Sequence, residues 1–413
     1  MSITSNFARA RRALGRLLKE GSPAAPGLWA GYTRDAMYLI NAFDCTEEDL
    51  VSSHQLGDIF VNDTSSRSCN WYLPAFNNPF YGGLYTIFRL AAFLKVRYGI
   101  QQRFIICGQA DISHTRILIS NAQAQLTGSD ILILSDHHNL TSIPPSEYSI
   151  CTLWTTAYVL LKVKNTGRKF YMIQDFEPGF YPNGTTQAQA ELTYSFGFHG
   201  ICNTAPILAM YQSYGGKGIT LVPSVDARVF YSVPGKTQSP VKRIFLYARP
   251  GTPRNAFELA ISSLRIAKQR LGSKIEVLCA GEDWNADAFG VGTLVKNLGT
   301  LSIAETAALY QTCDIGIALM MTKHPSYLPI ELMASGALVI SNRNTYTSWF
   351  MKHNKNCLLS LPSQSCLANT ICFAVEHFDD LSDIRISALE SISTELKTWD
   401  QNLQVVCDYI LSV

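Results

Sequence analysis

Short runs of consecutive apolar residues alternate with stretches of helical periodicity over residues 66–235. The apolar runs end in turn residues and occupy 103–108, 131–136, 169–175 and 219–224, with helical stretches such as 84–96 and 186–194 between them. Near-continuous apolar strands that alternate with helices are typical of a parallel sheet covered on both faces. The first half of the chain is therefore predicted to form an α/β unit.

A segment rich in proline, glycine and serine, residues 231–242, has the composition of a linker. The alternation then restarts, with strands predicted at 243–250, 274–282, 314–320 and 337–342 and helices at 255–271, 303–313 and 328–336. We predict two domains, residues 1–235 and 236–395, followed by a C-terminal helix in 396–413. Ligands bind beyond the carboxyl ends of the strands in such sheets, so the expected site is the cleft between the domains.

The composition supports a globular protein and excludes several other classes. The 413 residues are 47% hydrophobic and 16% charged, with a net charge of +2, which gives no reason to expect a nucleic-acid partner. Eleven cysteines without metal-ligand spacing predict reduced, buried thiols in a cytoplasmic protein. The sequence shows no signal peptide and no apolar run of about 18 residues, so no membrane span is expected.

Residues 7–19 have the pattern of a basic amphipathic helix. One face carries Phe7, Ala10, Leu14, Leu17 and Leu18, and the opposite face carries Arg9, Arg12, Arg16 and Lys19. Such a helix can lie on an anionic membrane surface, which would place the protein at the inner face of the cell membrane. The alternative is a helix that packs its leucines against the protein and leaves its charges in water.

Two arginines flank the first strand-to-helix turn of the second unit. Arg249 ends the predicted strand, and Arg254, beside Asn255, lies where the next helix is expected to begin. Guanidinium groups next to a helix N-terminus form an anion site, and a diphosphate is a suitable ligand. The alternative is a pair of solvated surface arginines.

Two further turns have features of a ligand loop. Gly82 and Gly83 precede the first predicted helix, where paired glycines let the backbone approach a ligand or make a plain turn. In the HPSYLPIELMASG segment, the N–H groups of Ser326, Tyr327 and Leu328 are expected to face a phosphate. Glu331 lies in the same turn; we expect the helix dipole to lower its pKa and its carboxylate to bind ribose hydroxyls, the alternative being a glutamate with no ligand.

Several common motifs are missing from the sequence. It contains no DxD, GxGxxG, GxxxxGK[ST] or HExxH. A dinucleotide fingerprint, a P-loop kinase and a diphosphate bridged by a metal on an Asp-x-Asp pair are therefore disfavoured. We expect no cofactor and no bound metal.

The second unit resembles the nucleotide-sugar domain of family-four glycosyltransferases of the GT-B fold. Arg249 and Arg254 match the Arg and Lys of that family, 223–226 (PSVD) matches its PNGVD without the glycine, and Leu298-Gly299 matches its LG turn. Glu331 matches the second glutamate of the E-x7-E motif. Lys323 occupies the position of the first glutamate, which in the family contacts the donor sugar.

A closer resemblance, to WsaF-type rhamnosyltransferases, covers nearly the whole chain. It is carried by NWYLPAFNNPFYGGLYTIFRLAAFL, IQDFEPGFYP, YSFGFHGICNT, YARPGTPRNAFEL and HPSYLPIELMASG. The HPSY loop of that group also lacks the first glutamate. The resemblance implies two facing Rossmann-like domains, a C-terminal helix that crosses back, a dTDP-β-L-rhamnose donor, and a lipid-linked rhamnose-containing glycan as acceptor. It also implies a retaining transfer that builds surface polysaccharide or S-layer glycan.

Acceptor contacts are expected from the first domain. Asp175 and Glu177 are the candidate carboxylates, Tyr181 could stack on a sugar ring, and His199 lies between glycines near the expected cleft. With Arg249 and Arg254, Asp175 and His199 are our candidate catalytic residues. Asp175 could equally cap a turn, and a lone histidine is more often structural. A GT-B sugar epimerase and a non-catalytic glycan-binding scaffold remain as alternative functions.

Overall fold

The computed structural model describes residues 42–55, 67–80, 82–134, 137–233, 239–324 and 326–413. The predicted amphipathic helix of residues 7–19 lies outside these ranges. Within them, no helix has the length and hydropathy required to cross a membrane.

The first domain is built on a parallel sheet with the strand order β3-β2-β1-β4-β5-β6-β7. Its strands are β1 (Ser68–Pro74), β2 (Gln101–Cys107), β3 (Asp130–Leu134), β4 (Ser146–Cys151), β5 (Thr166–Ile173), β6 (His199–Asn203) and β7 (Lys217–Leu221). Its helices are α1 (Glu47–Gln55), α2 (Gly82–Tyr98), α3 (Ile112–Ala122), α4 (Trp154–Lys162), α5 (Thr185–Leu192) and α6 (Ala205–Ser213). Apolar clusters cover both faces of the sheet, which explains why the strands read as apolar runs.

The second domain is built on a parallel sheet with the order β10-β9-β8-β11-β12-β13. Its strands are β8 (Lys242–Ala248), β9 (Ile275–Gly281), β10 (Lys296–Asn297), β11 (Ile315–Ile317), β12 (Leu338–Asn342) and β13 (Leu358–Ser360). Its helices are α7 (Phe257–Leu271), α8 (Ile303–Thr312), α9 (Leu328–Ala334), α10 (Gln364–Glu376) and α11 (Ser382–Glu395). The prediction of two Rossmann-like α/β domains is confirmed.

The strand order reverses once in each sheet, between β1 and β4 and between β8 and β11. The chain leaves the carboxyl ends of β1, β8 and β11 toward Gly82, Arg249 and residues 324–327, the HPSY loop, respectively. Crevices at these reversal points are where open α/β sheets bind ligands. The predicted ligand loops therefore lie at the reversal points of both sheets.

The chain crosses between the domains twice, and the two crossings are hydrogen-bonded to each other. The hydroxyl of Ser224 donates to the Lys397 carbonyl at 2.7 Å, and Asn402 Nδ2 donates to the Val222 carbonyl at 3.1 Å. After the second crossing, helix α12 (Trp399–Ser412) packs Val406 and Ile410 into the core of the first domain. The predicted return of the C-terminal helix is thus observed.

Candidate active site

A cavity of about 240 Å³ lies between the two domains. The first domain contributes Gly82, Thr86 and Arg89 from helix α2, and the second contributes Gly281, Thr300, Leu301, Tyr310, Ser326, Tyr327, Leu328 and Glu331. The residues that the sequence predicted on separate loops, Gly82 of the first domain and the HPSY loop of the second, thus line one space.

The segment that leads into the HPSY loop is held in place by side chains at the end of strand β12 and just after it. Asn342 accepts a hydrogen bond from the Met320 amide at 2.8 Å, and Asn344 Nδ2 donates to the Thr322 carbonyl at 2.6 Å. Ser326 then adopts a left-handed backbone (φ 66°), and its hydroxyl accepts a hydrogen bond from the Leu328 amide at 3.4 Å. These contacts turn the chain from β11 into helix α9 at the cavity wall.

Glu331 lies on helix α9 with its carboxyl group in this cavity. The helix buries Ile330, Leu332 and Met333 in the core of the domain, so Glu331 is its polar residue on the ligand side. Burial raises the pKa of Glu331 to about 7. The expectation of a lowered pKa was wrong, because desolvation of the carboxylate outweighs the dipole of a helix only seven residues long.

Tyr327 connects the HPSY loop to the first domain. Its hydroxyl lies 2.9 Å from the Thr86 hydroxyl and accepts a hydrogen bond from Asn203 Nδ2 at 3.4 Å. Its ring approaches Gly82 so closely that a Cβ at that position would lie 3.0 Å from Tyr327 Cδ2. The glycine therefore allows close contact between the two ligand loops.

Arg249 and Arg254 lie next to each other at the carboxyl edge of the second sheet. The side chain of Arg249 packs beside cavity-lining Gly281, where a Cβ would lie 3.1 Å from Arg249 Cγ. Burial lowers the pKa of Arg254, and the charge of Arg249 lowers it further. Two neighbouring, partly buried cations that repel each other form an arrangement that an anion stabilises.

Asp175 faces Arg254 across the cleft. Burial raises the pKa of Asp175 to about 6, whereas the positive charge of Arg254 acts to lower it. The carboxylate also accepts a hydrogen bond from the Phe176 amide at 2.7 Å, as expected of a turn cap. The predicted acceptor-side carboxylate is thus close to the predicted anion site, and both roles considered for Asp175 fit its position.

Lys323 lies between the domains rather than in open solvent. Its ammonium group is 4.1 Å from the centre of the Phe176 ring, 5.2 Å from that of Tyr346 and 3.6 Å from the Met210 sulfur. These are cation–π and polarisable contacts, and two of the three partners belong to the first domain. Lys323 therefore joins the domains where the broader family places a carboxylate.

Gly299 immediately precedes cavity-lining residues, whereas Asn255 is buried within its own turn. Gly299 has a φ of 71°, and a Cβ there would lie 2.0 Å from Asp283 Oδ1. Its position directs the next residues, Thr300 and Leu301, into the cavity wall. Asn255 is buried in the turn between Arg254 and helix α7.

Glu177 and Tyr181 are placed inside the first domain, away from the cavity. Glu177 Oε2 accepts hydrogen bonds from the Trp154 amide at 2.6 Å and from the Tyr171 hydroxyl at 2.7 Å. The Tyr181 hydroxyl accepts a hydrogen bond from Trp154 Nε1 at 2.9 Å. Burial raises the pKa of Glu177 to about 8. These contacts give both residues a structural role at the start of helix α4, and acceptor binding by them is not supported.

The expected position of His199 near the cleft was wrong. His199 is the first residue of strand β6, so it lies at the amino edge of the sheet, whereas the cleft is at the carboxyl edge. Its Nδ1 is 2.9 Å from the Tyr409 hydroxyl of helix α12. The sequence shows glycines near His199 but does not show at which end of the strand the histidine lies. At the amino edge, His199 takes no part in chemistry at the cleft.

Arg89 of helix α2 lines the cavity and was not singled out in the sequence. Its guanidinium lies 5.0 Å from the centre of the Tyr85 ring and 4.7 Å from that of Trp399, and 3.8 Å from the Asp226 carboxylate. Asp226 and Trp399 belong to the two interdomain crossings. Arg89 therefore contacts both crossings, a relation that depends on tertiary structure and has no local sequence signal.

Some buried polar atoms near the cleft have no hydrogen-bond partner among the described residues. They are Gln174 Oε1, Asn203 Oδ1, Thr204 Oγ1 and His324 Nδ1. Thr204 also adopts a left-handed backbone (φ 79°), which is strained for a β-branched residue. In the described part of the chain, no group of three or more His, Cys, Asp or Glu residues could hold a metal ion.

Comparison with known families identifies both domains. Residues 69–203 match the model for the N-terminal domain of WsaF, and residues 242–372 match the model for its C-terminal domain. The chain belongs to the WsaF family. The first matched range contains Gly82, and the second contains the Arg249 turn and the HPSY loop, so the predicted ligand loops lie within the matched domains.

One curated relative of this WsaF-family chain is the O-antigen biosynthesis protein RfbC of Myxococcus xanthus. It is 33% identical over 408 residues, which are 97% of this chain but 32% of the relative. The chain therefore spans about a third of the length of that protein.

Solved structures share the GT-B fold of this WsaF-family chain at low sequence identity. The Anabaena HepE protein in complex with UDP and glucose has a TM-score of 0.67 at 13% identity and covers 84% of this chain and 100% of its own. Sucrose-phosphate synthase from Thermosynechococcus elongatus has a TM-score of 0.64 at 12% identity and covers 84% and 98%. A TarM variant from S. aureus in complex with Fondaparinux, α-GlcNAc-glycerol and UDP has a TM-score of 0.65 at 10% identity and covers 84% and 100%.

Proposed function

We propose that this WsaF-family chain transfers L-rhamnose from dTDP-β-L-rhamnose to a glycan acceptor. The observation that carries the proposal is the interdomain cavity, which has the Glu331 carboxyl group in its wall and the Arg249–Arg254 pair beside it. A carboxylate and a pair of guanidiniums complement the sugar hydroxyl and the diphosphate of a nucleotide sugar, respectively. The rhamnosyl donor and a lipid-linked, rhamnose-containing acceptor rest on the family resemblance.

The nucleoside would occupy the part of the cavity lined by Glu331, Thr300 and Leu301. The Glu331 carboxylate would accept a hydrogen bond from the sugar, and the desolvation that raises its pKa makes such a donor favourable. The deoxyribose of dTDP offers one hydroxyl for this contact, whereas a ribose offers two. UDP- and GDP-sugars are therefore the alternative donors to test.

The diphosphate would lie against Arg249, Arg254 and the Ser326–Leu328 turn. In the reaction, the bond between the anomeric carbon and the phosphate oxygen breaks, and dTDP leaves with the electron pair. The acceptor hydroxyl oxygen bonds to the anomeric carbon and loses its proton to the departing phosphate. Fixed positive charge at the phosphate stabilises the transition state without any reorganisation, and the family resemblance favours retention of configuration.

The transferred sugar would lie where the first domain meets the HPSY loop. Gln174 follows strand β5, Asn203 ends strand β6 and Thr204 follows it. His324 lies in the second domain beside Tyr327, whose hydroxyl accepts a hydrogen bond from Asn203. The buried, unpartnered polar atoms of Gln174, Asn203, Thr204 and His324 could accept or donate hydrogen bonds to sugar hydroxyls, since such atoms are costly to leave unpaired. Asp175 is the candidate carboxylate for binding the acceptor. We also propose that the chain acts at the inner face of the cell membrane.

A thermal-shift screen with dTDP-rhamnose, UDP-sugars and GDP-sugars tests the donor assignment. Ligands that bind only the folded state raise its melting temperature, by roughly 3 °C at 100 times the dissociation constant for a chain of this size. We expect the shift with dTDP-rhamnose, and its loss in Arg249→Ala. Exposed Arg97→Ala is the matched control and should keep it. An unchanged shift in Arg249→Ala would remove the anion-site assignment.

A further inference from the structure

A second cavity, of about 260 Å³, opens at the amino edge of the first sheet. It is lined by His54, Lys164, Arg168, Lys169, His199 and Lys217, together with small and apolar residues. We call it the amino-edge cavity. Because His199 and Lys217 begin strands β6 and β7, it lies at the edge of the sheet opposite the donor cleft.

Positive charge is concentrated in the amino-edge cavity by the sheet itself. His199 pairs in parallel register with Lys217, and Arg168 and Lys169 lie on the adjacent strand β5. Like charges on neighbouring strands destabilise a sheet. The described lining residues include no carboxylate, and Asp49, which acts on Lys169, is ion-paired with Lys162 at 2.5 Å. The sheet therefore holds several cations together, and the described lining of the cavity contributes no carboxylate to offset them.

The pKa values of Lys169 and His199 are lowered, as expected for basic groups that are buried next to other cations. The pKa of Lys169 is lowered to about 8, chiefly by burial; the charge of Lys164 contributes to the lowering, whereas Cys151 and Asp49 oppose it. Burial also lowers the pKa of His199, with additional lowering by Lys217 and Arg168. Each of these groups would gain from an anion in the cavity, because a negative charge offsets both desolvation and mutual repulsion.

The walls of the cavity are fixed rather than loose. Ser53 of helix α1 donates a hydrogen bond to the Phe196 carbonyl at 2.7 Å, and His54 Nε2 lies 3.0 Å from the Ser195 carbonyl oxygen. The Lys169 ammonium donates to the Leu161 carbonyl at 3.3 Å and lies 5.7 Å from the centre of the Phe198 ring. The cations are therefore presented on a preorganised surface, with exposed Lys164 and Lys217 at its rim.

We propose that the amino-edge cavity binds a phosphate-bearing anion. Its size suits one or two phosphate groups, and it is lined by lysine and arginine side chains, which are charged hydrogen-bond donors, and by the rings of His54 and His199. The phosphate comes either from an anionic lipid headgroup or from a soluble phosphate compound. The site is independent of the donor cleft and of the sugar that the enzyme transfers.

The proposal is tested by calorimetric titration of the full chain with inorganic pyrophosphate. The titration uses Arg249→Ala, so that the anion site in the cleft contributes little. Adding Lys164→Gln and Lys217→Gln should weaken binding at least tenfold, while the melting temperature should not fall, because both side chains are exposed and their removal relieves repulsion. Lys274→Gln with Lys296→Gln, two exposed lysines of the second domain, is the matched control and should bind as tightly as the parent.

Vesicle flotation distinguishes the two sources of phosphate. If the chain floats with phosphatidylglycerol vesicles but not with phosphatidylcholine vesicles, and if pyrophosphate abolishes this flotation, the cavity is assigned to lipid headgroups. Pyrophosphate binding without flotation would assign it to a soluble compound. The proposal is overturned if the parent binds neither probe, or if the Lys164→Gln, Lys217→Gln chain binds pyrophosphate as tightly as the parent.

Discussion

Glu331 is a carboxyl-bearing residue on an otherwise apolar helix, and it lines the interdomain cavity. Its helix packs apolar residues into the core, and its own side chain faces the cavity, where burial raises its pKa to about 7. Near neutral pH, the group is close to the midpoint of its titration. If a ligand hydroxyl donates its hydrogen bond to the ionised Glu331 carboxylate, the affinity for that ligand therefore depends on pH.

Affinity for dTDP-rhamnose should rise by about tenfold from pH 6 to pH 8, because the ionised fraction of a group with a pKa near 7 rises by that factor. Calorimetric titration at several pH values measures this dependence. Both phosphates of the sugar nucleotide are esterified and do not titrate in this range. Glu331→Gln keeps a carbonyl acceptor but cannot ionise, so its affinity should be flat with pH. A wild-type affinity that is flat or falls with pH would contradict the role given to Glu331.

Lys323 shows what the sequence can and cannot say about one residue. The sequence reveals a lysine where the broader family has a glutamate, but it does not reveal the lysine's partners. The structure places its ammonium between Phe176, Tyr346 and Met210, which come from three distant parts of the chain. The sequence also could not tell Asp175 from His199 by position. Asp175 follows the end of strand β5 and lies at the cleft, whereas His199 begins strand β6 and lies at the opposite edge, and this difference is visible only in the folded sheet.

At the scale of elements, apolar runs located many of the strands and helices. Runs such as 243–250 and 274–282 correspond to β8 and β9 within one or two residues. Strands β1, β4 and β6 were not identified as strands, because they mix cysteine, serine, asparagine and histidine with the apolar residues. Polar residues of these strands such as Asn70, Ser149 and Asn203 are buried between neighbouring strands, and that environment depends on tertiary packing rather than on local pattern.

Helix α12 is the element that ties the end of the chain to the first domain. Val406 is fully buried in that core, whereas neighbouring Val405 is 42% exposed. Val406→Ala should therefore lower the free energy of unfolding by about 2 kcal/mol through lost burial and a residual cavity. Val405→Ala removes the same atoms at the surface and should change it by less than about 0.5 kcal/mol. Equal effects in chemical denaturation would show that α12 does not pack as described.

At the scale of the whole molecule, the site is assembled from both domains. Each sheet reverses its strand order once, and loops at those reversals come together where Tyr327 packs against Gly82. Two domains and a cleft were predictable from the repeated strand–helix pattern. Contacts such as Tyr327 with Thr86 and Arg89 with Trp399 were not, because they join segments more than two hundred residues apart.

The measurement that tests the proposed transfer most directly is dTDP release from dTDP-rhamnose with and without a rhamnose-containing acceptor. Glycosyl transfer predicts release that depends on the acceptor and a product heavier by one rhamnose. Arg249→Ala should lower the rate by at least a hundredfold, since it removes charge stabilisation of the leaving diphosphate. Release that is independent of acceptor would favour the epimerase alternative. Sugar binding with no release of dTDP would contradict the proposed transfer.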